Sequence, residues 1–152
     1  MDKGFQLKTK IITHHLPAKE RERLLREVEI YLAKREEILF AYAHGSFLAD
    51  TFFRDLDIAV FLRAEEASGV RYTYEVGLEA EIERALAARF PVDVRVLNFT
   101  PISFQYRAIC GRLLLDRDPQ ARVDFFSKVV GRYLDIKPIL RHHTREAFSN
   151  ES

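Results

Sequence analysis

A single cysteine, Cys110, excludes an intrachain disulfide framework and suits a reducing compartment. No apolar run approaches the roughly 20 residues that a membrane helix needs. No charged start leads into a long apolar stretch, so no signal peptide is expected. An excess of either charge is also missing: 24 Lys and Arg stand against 23 Asp and Glu, a formal net charge of +1. That balance removes the global electrostatic case for nucleic acid or an anionic membrane as partner. Internal repeats, low-complexity tracts and Pro/Gly/Ser-rich linkers are absent as well. What is present fits a soluble globular protein: 152 residues, 47% apolar and 31% charged. This length favours one domain over residues 1–152 with one core, and a cytoplasmic location is expected.

Hydrophobic periodicity supplies the elements. The segment through Ile12 fits a short helix or a loose arm. Pro17 at a first helical position opens a charged stretch in which Leu24, Val28, Tyr31 and Leu32 recur at helical spacing. Ile38 to Ala43 has the length of a buried strand, and after His44-Gly45-Ser46 the compact stretch Phe47 to Phe53 could form a turn of helix. Leu56 to Leu62 is the clearest strand. A connection from Ala64 to Gly69 leads to a helix over about Tyr72 to Arg89, with Leu78, Ile82, Ala85 and Leu86 on one face. Val92 to Asn98 alternates as a strand. Thr100-Pro101 reads as N-cap plus first-position proline of a helix reaching Cys110, where Gly111 stops it. Leu113 to Leu115 reads as a short edge strand. Asp118-Pro119 starts a long helix carrying Val123, Phe126, Val130 and Tyr133, which Pro138 should kink or break. The expected fold is α/β (α+β), one mixed sheet packed by helices.

Asp55 and Asp57 stand two residues apart at the start of an otherwise apolar strand. Such side chains share a face, roughly 6.6 Å apart at their Cα atoms. Two carboxylates so close repel, and a buried strand gains nothing from them. A hard divalent cation such as Mg²⁺ resolves the conflict, completing its shell with water and substrate phosphates. Asp93 lies in the third strand on the face opposite its valines, where a neighbouring strand can set it beside the other two. Three carboxylates and two metal ions would suit in-line phosphoryl displacement. Gly45 allows close backbone approach, and Ser46 with free N–H groups at a helix start can bind phosphate oxygens. Alone, each signal has an ordinary structural reading as cap or turn. Together they point to a metal–nucleotide site.

Other residues carry weaker signals. Adjacent histidines (His14-His15, His142-His143) point in different directions and lack zinc-ligand spacing, so surface or partner contact suits them better. His44 adjoins the Gly-Ser turn and could touch substrate or pack. Arg54 could reach a phosphate or stay solvated. Arg141 and Arg145 make a mildly basic tail.

The stretches AYAHGSFLADTFFRDLDIAVFL (Ala41 to Leu62) and FPVDVRVLN (Phe90 to Asn98) resemble the minimal nucleotidyltransferase (MNT) family of the DNA-polymerase-β-like superfamily, the MNT partners of HEPN–MNT toxin–antitoxin pairs. The closing GRYLDIKPIL is similar to that family's usual ending. The family's signature carries over to Gly45, Ser46, Asp55, Asp57 and Asp93. Two departures stand out. Eight residues, where the family more often has ten, separate Gly-Ser from Asp-x-Asp, and Asp50 occupies a place where the turn often ends in Gly. The resemblance implies transfer of AMP from ATP, with two Mg²⁺ ions, onto a tyrosine of a HEPN ribonuclease toxin, with pyrophosphate leaving. The ribonuclease's own Arg-to-His signature is absent, so this chain would be the antitoxin half. Two other functions remain compatible: a nucleotidyltransferase acting on a small molecule, and a non-catalytic antitoxin that silences its toxin by contact. An oligomer with itself or with the toxin is also left open.

Overall fold

The computed structural model describes residues 12–67 and 71–149. The expectation for the segment up to Ile11 therefore lies outside the described residues, as does the end of the connection at Gly69.

A two-residue strand β1 (His14–His15) precedes helix α1 (Ala18–Ala33), which buries Leu24, Leu25, Val28 and Leu32. Pro17 caps this helix from outside and is not its first residue. Strand β2 (Ile38–His44) leads through Gly45 into the single turn α2 (Ser46–Ala49), then β3 (Phe52–Phe53) and β4 (Leu56–Leu62). The compact stretch expected over Phe47 to Phe53 thus splits into a helical turn and a short strand. It splits because β3 finds a partner in β1, with His14 opposite Phe53. The connection after β4 is partly helical, α3 (Ala64–Ala67), and leads to α4 (Arg71–Leu86). Strand β5 (Val92–Val96) ends in a 3₁₀ turn, Leu97–Phe99, ahead of α5 (Ile102–Ile109). Pro101, not Thr100, is the N-cap here; the Thr100 hydroxyl donates back to the Leu97 carbonyl at 3.0 Å. Strand β6 (Arg112–Asp116) and helix α6 (Pro119–Ser149) follow. Asp118 caps α6 by accepting from the Ala121 N–H at 3.1 Å. The helix continues through Pro138 to Ser149, so the proline does not end it.

The main sheet has the order β5-β4-β2-β6 and is mixed. The β4–β5 pair is parallel, while β2 runs antiparallel to both β4 and β6. Helices α1 and α4 cover one face, where Ala41, Ala43, Ile58, Val60, Val94 and Val96 are buried together with Val28 and Leu32 of α1. Helices α5 and α6 cover the other with a smaller cluster, including Phe40, Tyr42, Ala59, Ala108 and Val129. On α4, Leu78 and Ile82 face the core as expected, but Ala85 is exposed. On α6, Val130 packs against this cluster as expected, together with Phe125 and Val129, whereas Val123 and Phe126 are exposed.

Candidate active site

Strand register places the site. His44 of β2 lies opposite Asp57 of β4, and Asp57 lies beside Asp93 of β5. Because Leu56, Ile58, Val92 and Val94 fill the α1/α4 face, alternation sends Asp57 and Asp93 to the opposite face. Asp55 joins them from just before β4. One carboxylate oxygen from each of Asp55, Asp57 and Asp93 lies within 4.8 Å of the other two. The structure therefore brings together the three aspartates singled out in the sequence.

Electrostatics follow from that crowding. Burial, and then the Asp55 and Asp93 carboxylates, push the Asp57 carboxyl up to about 7. Arg95 gives partial relief, its Nε 3.6 Å from Asp93 Oδ1. A half-buried triad that resists ionising together, with oxygen donors only, fits a hard divalent cation such as Mg²⁺.

Gly45 answers to the same carboxylate. Its φ is +82°, a region that favours glycine, and a Cβ at this position would sit 2.3 Å from Asp57 Oδ2. The turn is thus shaped to admit the Asp57 side chain against the backbone. Ser46 begins α2, and its Oγ accepts from the Arg54 N–H at a long 3.4 Å. A cleft of about 460 Å³ opens here, lined by Thr13, Ser46, Asp50, Phe52, Arg54, Asp55 and Asp57. Asp50 is extended, with φ −105° and ψ 149°, so the turn's end makes no demand for glycine.

His44 packs edge-on against Phe104, ring centroids 5.3 Å apart. Its Nε2 is buried and has no hydrogen-bond partner among the described residues. Burial pushes its pKa down, and the Asp93 carboxylate pulls against that. His14 and His15 lie against phenylalanines instead of each other: His14 against Phe53 and Phe90, His15 against Phe52. The side chains of His142, His143 and Arg145 lie outside the described residues, and Arg141 is exposed.

Sequence reasoning passes over Glu79 and Glu83. They accept hydrogen bonds from the Val94 and Val92 N–H groups, each at 2.9 Å. Burial and the neighbouring Asp93 push the Glu79 carboxyl up, against the pull of the Val94 N–H. Their four-residue spacing on α4 is visible in the sequence, but on an amphipathic helix it is indistinguishable from a solvated face.

The family model described as "Polymerase beta, Nucleotidyltransferase" matches residues 26–120, which hold all four strands of the main sheet. No curated protein matches significantly. Among solved structures, one similar fold occurs in a tri-AMPylated Shewanella oneidensis HEPN toxin in complex with MNT antitoxin, with 19% identity over 82% of this chain and 97% of that one, TM-score 0.62. A toxin–antitoxin structure with AMP-PNP matches at 20% identity, over 80% and 98% of the two chains, TM-score 0.64. A toxin–antitoxin MntA–HepT structure matches at 18%, over 82% and 97%, TM-score 0.62. At these identities the likeness is one of fold.

Proposed function

Because the chain belongs to the polymerase β nucleotidyltransferase family, we propose that it transfers AMP from ATP to a tyrosine of a HEPN-type ribonuclease and so acts as the antitoxin of a pair. The observation that carries this is the convergence of Asp55, Asp57 and Asp93 within 4.8 Å, directly beside the Gly45-Ser46 turn. The AMPylated HEPN toxin described in complex with an MNT antitoxin supports the choice of acceptor.

In this reading Asp55, Asp57 and Asp93 are the metal ligands and catalytic residues, and Gly45 and Ser46 hold the nucleotide. Bound Mg²⁺ would supply neutralisation of charge on the reacting phosphate and on the leaving pyrophosphate. The protein's own contribution is placement. Ser46 lines the cleft, and its hydroxyl and the N–H groups of the turn can donate to phosphate oxygens. Arg54, exposed on the same cleft, adds a cation on the phosphate path. One carboxylate of the triad, facing the incoming hydroxyl, would draw off its proton. The acceptor oxygen attacks the α-phosphorus, the bond to the bridging oxygen breaks, and pyrophosphate carries away the negative charge.

The test uses the full chain, ATP, Mg²⁺ and the product of whichever gene adjoins its own, read by intact mass. An addition of about 329 Da on a partner tyrosine, the mass of an AMP adduct, is expected from this chemistry. Ribonuclease inhibition with no mass change would instead establish silencing by contact. AMP appearing only on a small hydroxylated compound would assign the chain to small-molecule modification.

A further inference from the structure

Arg21 of α1 reaches across to the turn that follows β2. Its Nη1 donates to the Phe47 carbonyl at 2.9 Å and the Asp50 carbonyl at 2.6 Å. Its Nη2 donates to the Thr51 carbonyl, and its Nε to the Leu16 carbonyl at 3.0 Å. The guanidinium carbon also lies 4.9 Å from the Phe53 ring centroid and 5.7 Å from that of Phe47. One side chain thus gathers three carbonyls of the segment joining Ser46 to Asp55.

The need for such a residue is physical. A four-residue helix leaves its last carbonyls without intrahelical donors. The turn holds itself by few backbone bonds, Leu48 N–H to the Gly45 carbonyl at 3.2 Å and Asp50 N–H to the Ser46 carbonyl at 2.9 Å. Only eight residues separate Ser46 from Asp55, and the same short segment must present both the Gly-Ser turn and the first carboxylate of the acidic triad. A planar guanidinium carries five donors in a fixed fork, which an ammonium cannot imitate.

We propose that Arg21 is the positioning residue of the nucleotide turn: it fixes the Phe47–Thr51 carbonyls so that Ser46 and Asp55 face one cleft in binding geometry. This rests on the nucleotidyltransferase reading of the site, and Arg21 itself touches no reacting atom.

Arg117 provides a matched control. It too clasps backbone carbonyls, those of Ile38 at 3.0 Å, Ala33 at 2.8 Å and Arg35 at 3.3 Å, but at the other end of β2. The experiment measures MgATP affinity and thermal midpoint for the full-length wild type, Arg21→Lys, Arg21→Met and Arg117→Met. Arg21→Lys keeps the charge and an apolar stem beside Phe53, so it preserves a folded test if Arg21→Met aggregates. Both Arg21 variants should weaken MgATP binding by about tenfold or more, as expected when a binding group is displaced by a fraction of an ångström to about 1 Å. Arg117→Met should lose comparable thermal stability and bind MgATP within about twofold of wild type. Equal binding by wild type and Arg21→Lys overturns the proposal, and so does equal weakening in Arg117→Met, which would make the effect a general loss of stability. A folded wild type that binds no MgATP overturns the nucleotide reading itself, and the role of Arg21 falls with it.

Discussion

The two faces of the central sheet solve opposite problems with the same strands. Toward α1 and α4, every inward residue of β4 is apolar and buried: Leu56, Ile58, Val60 and Leu62. Toward α5 and α6 the same strand grades from Phe61, stacked 4.6 Å from Phe40, through Ala59 to Asp57. Strand β2 repeats the gradient, with Phe40, Tyr42 and then His44. One face is therefore sealed along its length, and the other is sealed only at the end away from Gly45. Like-charged carboxylates survive on the second face because it opens into a cleft where water or a cation can reach them. The acidic triad occupies a corner of the sheet that the helices leave open.

Substituting across this divide should separate chemistry from stability. The largest effect is expected from Asp57→Asn, which leaves the fold intact and lowers nucleotide transfer by at least about 100- to 1000-fold, measured as turnover with saturating Mg²⁺. Wild-type turnover would remove Asp57 from the mechanism. On the sealed face, Ile58→Ala should cost about 2–5 kcal/mol of unfolding free energy by denaturant titration. Its activity per folded molecule should stay near wild type, since the side chain points away from the cleft. Gly45→Ala sits between these cases. The new methyl would collide with Asp57 Oδ2, and the backbone lies at φ +82°. A loss of about 1–3 kcal/mol, for holding a side chain at φ +82° and ψ −157° where glycine alone is at ease, should accompany a larger loss of transfer. Retained transfer at full rate would show that the carboxylate can move aside.

The smallest effect is a pH signature confined to the graded face. The folded Asp57 carboxyl titrates at about 7 against an ordinary value of 3.8. Between those values the native protein holds a proton that the unfolded chain releases, so this contribution is full below the lower value and is lost as pH rises through about 7. Metal-free protein should melt about 2–4 °C lower at pH ~8 than at pH ~5.5 from this group. Mg²⁺ should restore the midpoint at the higher pH and do little at the lower. Asp57→Asn should flatten both responses; an unchanged pH dependence in that variant would assign the titration elsewhere.

The same contrast explains what can be read from the sequence. Strand β4 is legible to the residue because Leu56–Leu62 is apolar at every position but Asp57 and is bounded by the charged Asp55 and Arg63. The acidic cluster is legible because two aspartates in such a strand have no structural use, and period two puts Asp93 on their side. Parts whose signals are not periodic escape. Strands of two residues cannot show alternation, so the β1–β3 ribbon leaves no trace in the pattern. The expected inward face of α6 fails at Val123 and Phe126 because apolar residues recur around this long helix, and spacing alone does not say which of them meet the sheet. Pro138 leaves α6 unbroken, since an exposed proline in a helix can be accommodated by a bend or by water on the freed carbonyl. Arg21, Glu79 and Glu83 look like ordinary solvated charges in the sequence, and only tertiary structure turns a long polar side chain into a backbone clasp.

The clasp on β5 has a consequence for accuracy. This strand ends the sheet, held by β4 on one side and by the Glu79 and Glu83 carboxylates on the Val94 and Val92 N–H groups. A slip of one residue would turn Val92 or Val94 toward the cleft and bury Asp93 among the core valines. Both glutamates would then meet the wrong amides, so the slipped pairing would lose its lateral bonds as well as its apolar contacts. Helix α4 thereby acts as a ratchet pawl on the edge strand, and it also denies that edge to a strand from another molecule.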